Sequence, residues 1–152
     1  GATARLALND VVVTRGALSR MVEVEVKVDG HFVCDVKADG LIIASATGST
    51  AYNLSAGGPI VHPSVDALLL TPIAPHTLTN RPVVLPADSR IELYPAVTTN
   101  SDLLVSVDGQ TGVPIEPGAI VTVARAPRRL RLIHTSSRTH FDMLREKLKW
   151  GG

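Results

Sequence analysis

Residues 39–58 read Asp-Gly-Leu-Ile-Ile-Ala-Ser-Ala-Thr-Gly-Ser-Thr-Ala-Tyr-Asn-Leu-Ser-Ala-Gly-Gly, and they predict a strand, a turn and a helix in succession. The apolar run over 41–45 is typical of a buried strand. Thr47-Gly48-Ser49-Thr50 offers hydroxyls that can cap a helix, and Gly57-Gly58 can end it. The first turn of such a helix has free backbone N–H groups for a ligand's phosphate or sugar hydroxyls, although a capped helix without a ligand is the simpler interpretation.

The rest of the chain predicts an all-β fold, a two-layer β-sandwich with the central helix inserted and a second helix at the C-terminus. Alternating apolar and polar residues over 21–28 and a return strand over 31–36 flank Asp29-Gly30, a pair typical of a type I′ hairpin turn. Pro, Gly, Asp and Asn separate the other short strands. Their predicted ranges are 5–14, 41–45, 67–73, 83–85, 90–94, 103–107, 119–124 and 130–134.

Residues 139–150 predict the C-terminal helix. Thr139 and Asp142 have the spacing of a capping box, and Phe141, Leu144 and Leu148 form an apolar stripe that Trp150 follows. Because water is an unfavourable environment for four large apolar side chains, we expect this helix to pack on its own sandwich or on another copy of the chain.

The composition predicts one globular domain. The chain has 152 residues, of which 45% are hydrophobic, and this is enough to bury one core. A net charge of +1 argues against an electrostatic nucleic-acid binder. The single cysteine, Cys34, suits a reducing compartment, and the sequence contains neither a signal peptide nor an apolar run of membrane length. We therefore expect a cytoplasmic domain with no nucleic-acid or membrane partner.

Two polar residues, Asn9 and Asp10, interrupt an otherwise apolar strand. They can mark a bulge or a hydrogen-bonded pair in the core, or they can contact a ligand, because an asparagine amide offers donors and acceptors to a heterocycle or a ribose. The residues alone leave these alternatives open.

Several motifs together resemble the NAD kinase family. The central motif matches over Asp39-Gly40-Leu41-Ile42-Ile43, then residues 47–52, then Ser55-Ala56-Gly57-Gly58-Pro59, and it departs from the commonest family form at Ala46, where many members carry proline. Residues 71–82 resemble the family's T-P-x-x-P-H-x-L-x-x-R-P block. Val107-Asp108-Gly109-Gln110 resembles its V-D-G-Q element, and Leu148-Lys149-Trp150 resembles its closing L-x-W. The resemblance covers nearly the whole chain.

The resemblance implies a set of residues that bind NAD as a substrate. Asn9 and Asp10 match a pair that contacts the dinucleotide, Ala74 matches a main-chain contact, and Gln110 is implied to reach the substrate across a subunit boundary. Pairing in the first hairpin is expected to bring Arg20 and Lys37 near Asp39, where an ordinary solvated salt bridge is the alternative. The full set is Asn9, Asp10, Arg20, Lys37, Asp39, Thr47, Thr50, Ala51, Tyr52, Asn53, Ser55, Ala74 and Gln110.

The family's activity divides between two domains. NAD kinases transfer the terminal phosphoryl group of ATP, or of polyphosphate in some members, to the 2′-hydroxyl of the adenosine ribose of NAD, which gives NADP. They use a Gly-Gly-Asp-Gly-Thr loop in an N-terminal nucleotide-binding domain, and its aspartate is the proposed base; this sequence has no such motif. Residues 1–152 are therefore expected to be the C-terminal NAD-binding domain of a cytoplasmic homo-oligomer, a dimer or tetramer, inactive alone, with the base and Mg²⁺ supplied from elsewhere.

Two other functions remain possible. Lipid and diacylglycerol kinases share the two-domain plan, but Thr50-Ala51-Tyr52 and the polar pair Asn9-Asp10 favour a dinucleotide over an acyl chain. The other alternative is that the chain is a non-catalytic β-sandwich domain that binds NAD or forms oligomers. NADP formation from NAD, ATP and Mg²⁺ distinguishes an enzyme from a binding domain.

Overall fold

The computed structural model describes residues 3–16, 21–96, 102–133 and 137–151. Antiparallel strands form two sheets in these ranges. The strands are β1 (Asp10–Arg15), β2 (Val22–Val28), β3 (His31–Ala38), β4 (Gly40–Ser45), β5 (Ala67–Ile73), β6 (Val83–Pro86), β7 (Ile91–Pro95), β8 (Leu103–Val107), β9 (Val113–Pro114) and β10 (Val121–Val123). The order is β6-β5-β4-β1-β8-β9 in the larger sheet and β10-β7-β2-β3 in the smaller one.

The main core lies between the two sheets, which confirms the predicted two-layer β-sandwich. Apolar residues from every second position of the strands fill it, including Val13 of β1, Val24 of β2, Leu41 of β4 and Leu93 of β7. This spacing follows from the strand geometry, because successive side chains point to opposite faces of a sheet.

Strand β4 is buried on both faces, as its continuous apolar sequence predicts. Leu41 and Ile43 belong to the core between the sheets. Ile42 and Ala44 point the other way and pack with Val12 and Leu69 in a second cluster, against which Ala56 and Val61 lie. The segment after β4 therefore covers the outer face of the larger sheet and gives the strand its second buried side.

Three short helical segments accompany the sheets in the described ranges. A 3₁₀ helix (Thr47–Thr50) is followed by the one-turn α-helix α1 (Tyr52–Ser55), and α2 (His140–Leu148) lies near the C-terminus. The capping box of α2 is confirmed, with Thr139 and Asp142 bonded reciprocally, but the helix ends at Leu148, where Lys149 takes a left-handed φ of 50°. None of the described helices combines the length and apolar character needed to cross a bilayer.

Two Asp-Gly pairs, at 29–30 and 108–109, form turns of the same kind. Asp29 and Gly30 have φ values of 52° and 80°, and Asp108 and Gly109 have values of 49° and 70°. Two successive positive φ angles characterise the type I′ turn, so the hairpin prediction at Asp29-Gly30 is confirmed.

One predicted strand is too long at its start, and another is not formed in its described residues. The first strand begins at Asp10 and not at residue 5, because the backbone of residues 8–10 turns aside to bond the Asp108 side chain. Residues 130–133 form no strand, and His134 lies outside the described residues. Leu130, Leu132 and Ile133 are exposed, so this alternating segment has the composition of a strand but has no neighbouring strand in the described chain to bond.

Candidate functional site

Three segments of the chain meet where β4 ends, and they form a polar surface that we call the β4 mouth: residues 8–10, 45–55 and 108–110. The Ser45 N–H donates to the Asn9 carbonyl at 2.9 Å, and the Ser45 hydroxyl donates to the Leu8 carbonyl at 2.6 Å. The Asp108 N–H donates to the Asp10 carbonyl at 3.0 Å. The antiparallel pairing of β1 with β4 and with β8 places these three segments side by side.

The predicted capping by Thr47, Ser49 and Thr50 is wrong. The 3₁₀ helix begins after Ala46 with no side-chain cap, and the Ser45 hydroxyl accepts the Gly48 N–H at 3.0 Å instead. The Ser49 hydroxyl is buried and bonded to Val61, donating to its carbonyl at 3.1 Å and accepting its N–H at 3.0 Å. Because α1 has only four residues, it also lacks the dipole that a longer helix would direct at an anion.

Gly48 permits close contact between the 3₁₀ helix and the segment that carries Asn9. A Cβ atom at Gly48 would lie 2.5 Å from the Asn9 carbonyl carbon and 2.6 Å from its Cα, much closer than atoms can approach. The backbone of Asn9 is therefore fixed on one side by Ser45 and Gly48.

Asn53 is a buried structural residue, which corrects its prediction as a ligand contact. Its amide donates to the Ser49 carbonyl at 2.9 Å and to the Pro59 carbonyl at 3.1 Å, and its oxygen accepts the Thr71 hydroxyl at 2.6 Å. The side chain is 0% exposed. Its two N–H donors are both engaged, so a bound ligand finds neither access nor a vacant donor at Asn53.

The other predicted residues of the central motif are accessible. Tyr52 is 45% exposed beside the half-buried Ala51, and Ser55 is exposed. Thr47 and Thr50 are half-buried, as is Asn9 on the neighbouring segment. The accessible or half-buried residues of the β4 mouth therefore include an aromatic ring, hydroxyls and an amide.

Two carboxyl groups with opposite pKa shifts lie under this surface. Burial raises the pKa of Asp10, which is 5% exposed, and the nearby Asp108 carboxylate raises it further. Desolvation acts in the same direction on Asp108, but bonds from the backbone N–H groups of Leu8, Asn9 and Asp10 outweigh it, and the pKa of Asp108 is lowered. Asp108 is thus held as an anion, while Asp10 is poised closer to protonation than an ordinary carboxyl.

A second group of predicted residues lies at the opposite end of β4. The Asp39 N–H donates to the Ile73 carbonyl at 2.9 Å, and the Lys37 carbonyl accepts the His76 N–H at 3.0 Å, so Lys37, Asp39 and Ala74 share one corner. Ala74 is exposed and has a φ of 44°, which is unusual for a residue with a Cβ. At about 3.3 Å per residue, the six residues of β4 separate this corner from the β4 mouth by roughly 20 Å.

Two cations, Arg20 and Lys37, are predicted near Asp39. The Lys37 ammonium lies 3.2 Å from the Glu23 carboxylate, its cross-strand neighbour, so its ion pair is with Glu23 and not with Asp39. Arg20 lies outside the described residues. Gln110 is exposed at the tip of the β8 turn, where its N–H donates to the Val107 carbonyl at 3.0 Å.

Comparison with known proteins identifies the family. A family described as ATP-NAD kinase C-terminal domain matches residues 8–135. The chain belongs to the NAD kinase family. It is 48% identical to an NAD kinase of Geotalea daltonii over 147 residues, which is 97% of this chain and 51% of the relative. It is 50% identical to an NAD kinase of Geobacter metallireducens over 144 residues, which is 95% of this chain and 50% of the relative.

Solved NAD kinase structures share the fold. An NAD kinase from Archaeoglobus fulgidus in complex with ATP has a TM-score of 0.71 and 33% identity, with 80% of this chain and 46% of that chain covered. Yeast NADH kinase complexed with NADH has a TM-score of 0.65 and 36% identity, with coverage of 78% and 35%. The chain therefore spans about half the length of the NAD kinases it matches.

In this NAD kinase domain, Asp108 accepts three backbone hydrogen bonds, although the sequence motifs predicted no role for it. Asp108 belongs to the V-D-G-Q element, in which only Gln110 was predicted to contact substrate, yet the Asp108 carboxylate joins β8 to the segment before β1. A hairpin turn gives no sequence signal for a partner about 100 positions away, because sheet order decides which segment it faces.

The described residues of this NAD kinase domain do not fit a magnesium ion. They contain no group of three or more His, Cys, Asp or Glu side chains placed to hold a metal. Asp10 and Asp108 are two adjacent carboxylates, but three backbone N–H groups occupy the Asp108 oxygens. We therefore assign no metal-dependent step to this domain.

Proposed function

We propose that residues 1–152 form the NAD-binding domain of an NAD kinase, and that the β4 mouth binds the dinucleotide. The observation that carries the proposal is that Asn9 and the buried Asp10 lie beside the segment that carries the exposed Tyr52 and Ser55, at the end of β4, in a chain of this family. Thr47, Thr50 and Ala51 complete the contact surface. Asn53 is left out because its side chain is buried and bonded inside the domain.

The chemistry of these side chains suits a nucleoside. The exposed Tyr52 ring offers a flat apolar face for a heterocycle, and base-on-aromatic stacking is worth about 1–3 kcal/mol. The Asn9 amide can both donate and accept, and the Asp10 carboxyl is an acceptor for ribose hydroxyls. Phosphoryl transfer depends mainly on positioning and charge neutralisation, so this domain would contribute by holding the ribose in place.

The second group of predicted residues requires another copy of the chain if it is to bind the same ligand. Lys37, Asp39 and Ala74 lie roughly 20 Å from the β4 mouth along β4. The exposed main chain of Ala74 and the Asp39 carboxylate are therefore proposed to meet the mouth of a neighbouring subunit, with Arg20 and with Gln110 near the same boundary. This arrangement requires a homo-oligomer, a dimer or tetramer.

The remaining parts of the reaction are proposed to come from an N-terminal nucleotide-binding domain in the whole protein. That domain would hold ATP or polyphosphate with its Gly-Gly-Asp-Gly-Thr loop, together with Mg²⁺ and the base for the 2′-hydroxyl, and the enzyme would work in the cytoplasm. The Archaeoglobus fulgidus relative was solved with ATP and the yeast relative with NADH, and both support a nucleotide ligand here.

The test separates binding from catalysis. Calorimetry of the 152-residue chain with NAD is expected to show binding, while the same chain with NAD, ATP and Mg²⁺ is expected to form no NADP. The protein extended by its N-terminal domain is expected to form NADP and to leave diacylglycerol unphosphorylated. Tyr52→Ala should weaken NAD binding, with Tyr94→Ala on the outer side of the smaller sheet as its matched control. NADP formation by the chain alone overturns the division of labour, and an extended protein that phosphorylates only lipid overturns the proposed substrate.

A further inference from the structure

We infer that Asp108 is a positioning residue for NAD binding: its carboxylate fixes the backbone that carries Asn9 and Asp10. The inference rests on the proposed function of the β4 mouth, and it assigns a role to a residue that was not among the predicted substrate contacts.

Three successive backbone amides converge on the Asp108 carboxylate. One oxygen, Oδ2, accepts the Leu8 N–H at 2.8 Å. The other, Oδ1, accepts the Asn9 N–H at 2.7 Å and the Asp10 N–H at 3.1 Å. Hydrogen bonds to an ionised acceptor are roughly twice as strong as neutral ones, and a run of amides around one anion fixes the local backbone angles. The pairing of β1 with β8 ends at Val11 and Val107, and beyond that point the carboxylate accepts the backbone N–H groups of the preceding residues.

The Asp108 contacts complete a clamp around residue 9. On the opposite side, the Asn9 carbonyl accepts the Ser45 N–H at 2.9 Å, and the Gly48 backbone packs directly against Asn9. The Asp108 N–H also bonds the Asp10 carbonyl at 3.0 Å. Both polar groups of the Asn9 backbone are thus engaged from opposite sides, which leaves the orientation of its side chain as the main remaining freedom.

The turn geometry allows Asp108→Asn to change the carboxylate without changing the backbone of the turn. Asp108 has a φ of 49°, a left-handed conformation that Asn also adopts readily. Asn keeps one acceptor oxygen but places an NH₂ group against at least one backbone donor, so the clamp is weakened while the turn is preserved. Asp108→Glu is a second variant, because it retains the charge but moves the carboxylate by one methylene.

The matched control is Asp29→Asn. Asp29 is at the same position of the other Asp-Gly turn, has a φ of 52° and also accepts a backbone N–H, that of Arg90 at 2.8 Å. Its turn joins β2 to β3 in the smaller sheet, whereas the segments of the β4 mouth flank strands of the larger sheet. A change that acts only through the stability of a turn should affect both variants alike.

The experiment measures KM and kcat for NAD and for ATP in the extended protein, together with amide hydrogen exchange in the 152-residue chain. Asp108→Asn is expected to raise the KM for NAD about tenfold, to leave the KM for ATP within about twofold, and to speed exchange at Leu8, Asn9 and Asp10. Asp108→Glu should also raise the KM for NAD. Asp29→Asn should change neither KM by more than about twofold.

The possible results separate this inference from the function on which it rests. Equal KM values for NAD in Asp108→Asn and in the unmodified protein overturn the positioning role, as does an equal rise in Asp29→Asn. An unmodified protein that neither binds NAD nor forms NADP overturns the proposed function, and the positioning role with it.

Discussion

At the scale of single residues, Asn53 shows how a binding motif can contain a structural member. Its amide joins the 3₁₀ helix, the loop at Pro59 and β5 through three hydrogen bonds. Asn53→Ala leaves the Thr71 hydroxyl and two carbonyl groups without their partner inside the domain. Because a buried unsatisfied polar group costs about 1–3 kcal/mol, we expect the free energy of unfolding to fall by about 2–4 kcal/mol in urea titrations.

The control for Asn53→Ala is Asn80→Ala, in the half-buried loop before β6. Surface substitutions of this kind usually change stability by less than about 0.5 kcal/mol. A loss at Asn53 no larger than the loss at Asn80 would contradict the structural role.

Gly48 gives a second prediction at this scale. Gly48→Ala pushes a methyl group into the Asn9 backbone, so the two segments have to separate. We expect the free energy of unfolding to fall by about 1–3 kcal/mol, the usual cost of overpacking, and NAD affinity to fall with it. Calorimetry with NAD and urea titration check both effects.

Gly16→Ala is the corresponding control, because its added Cβ would lie 3.5 Å from the nearest Asp102 atom, an ordinary contact distance. If the two alanine variants bind NAD equally well, the close approach at Gly48 does not position the site.

Single residues also mark the limit of what the sequence predicts about the site. The motif at 47–55 predicted which segment forms the mouth, because a ligand surface needs small polar residues after a buried strand. It did not separate Asn53, which points inward, from Tyr52, which points outward, since that choice depends on the path of a one-turn helix. Asp108 was missed as a partner of residues 8–10 because the contact joins two neighbouring strands, β1 and β8, that are far apart in the sequence.

At the scale of elements, helix α2 is attached to the domain through aromatic contacts. The rings of His140 and His62 lie 4.8 Å apart in an edge-to-face arrangement, and Phe141 lies 5.7 Å from His62. Leu144 is buried, and the His140 Nε2 atom is buried without a hydrogen-bond partner in the described chain. The Ser64 N–H donates to His62 Nδ1 at 3.2 Å.

These contacts predict that acid weakens the attachment of α2. Burial, and then the neighbouring His62, lower the pKa of His140 below its ordinary value. The unfolded chain therefore binds this proton more tightly than the folded chain does, so the contribution to stability is present above a pH of about 6.5 and is lost as the pH falls below it. As the pH falls from 7.5 to 5.5, we expect the free energy of unfolding to fall, and we expect the α2 amides to lose protection relative to the unfolded exchange rate at each pH.

Asp142 in the same helix does not interfere with this measurement. Hydrogen bonds from the Thr139 side chain and backbone lower the pKa of Asp142, so it titrates below this range. His140→Gln should remove most of the pH dependence of α2, whereas His31→Gln at the exposed hairpin tip should preserve it. An unchanged pH profile in His140→Gln would rule out this histidine as the cause.

The two helical regions also show which helix caps can be predicted from neighbouring residues in the sequence. The capping box of α2 was predictable because its partners are three residues apart. The cap of the 3₁₀ helix was not, because Ser45 belongs to the preceding strand and the nearer hydroxyls serve other contacts. The strand predicted over 83–85 agrees with β6 within one residue, but the start of β1 was not predictable, because the Asp108 side chain that bonds residues 8–10 is distant in the sequence. Residues 130–133 have the composition of a strand but no neighbouring strand in the described chain.

At the scale of the whole molecule, several large apolar side chains near the C-terminus remain in contact with solvent. Phe141 and Trp150 are 50% and 49% exposed, and Ile133 is 89% exposed. Leu144 alone of the α2 stripe is buried in this chain. We therefore expect a second copy to cover Phe141 and Trp150, so light scattering should give a mass above that of the 16.1 kDa monomer.

The double variant Phe141→Ala and Trp150→Ala is expected to shift the mass toward the monomer. Phe32→Ala, at an exposed aromatic in the first hairpin, is the control and should leave the mass unchanged. A wild-type chain that is monomeric over the whole concentration range, with these two side chains in water, would contradict the expectation.

The order of strands in the larger sheet has a consequence for synthesis. Strand β1 lies between β4 and β8, and Val13 pairs with Leu41 on one side and with Val105 on the other. A ribosome adding roughly 5–20 residues per second needs roughly 5–20 seconds to extend from the first strand to its last neighbour. During that interval the nascent chain carries an unpaired β1 edge, which is the kind of edge that recruits strands from other chains. The pace of translation through residues 40–105 therefore decides how long the growing protein is open to aggregation.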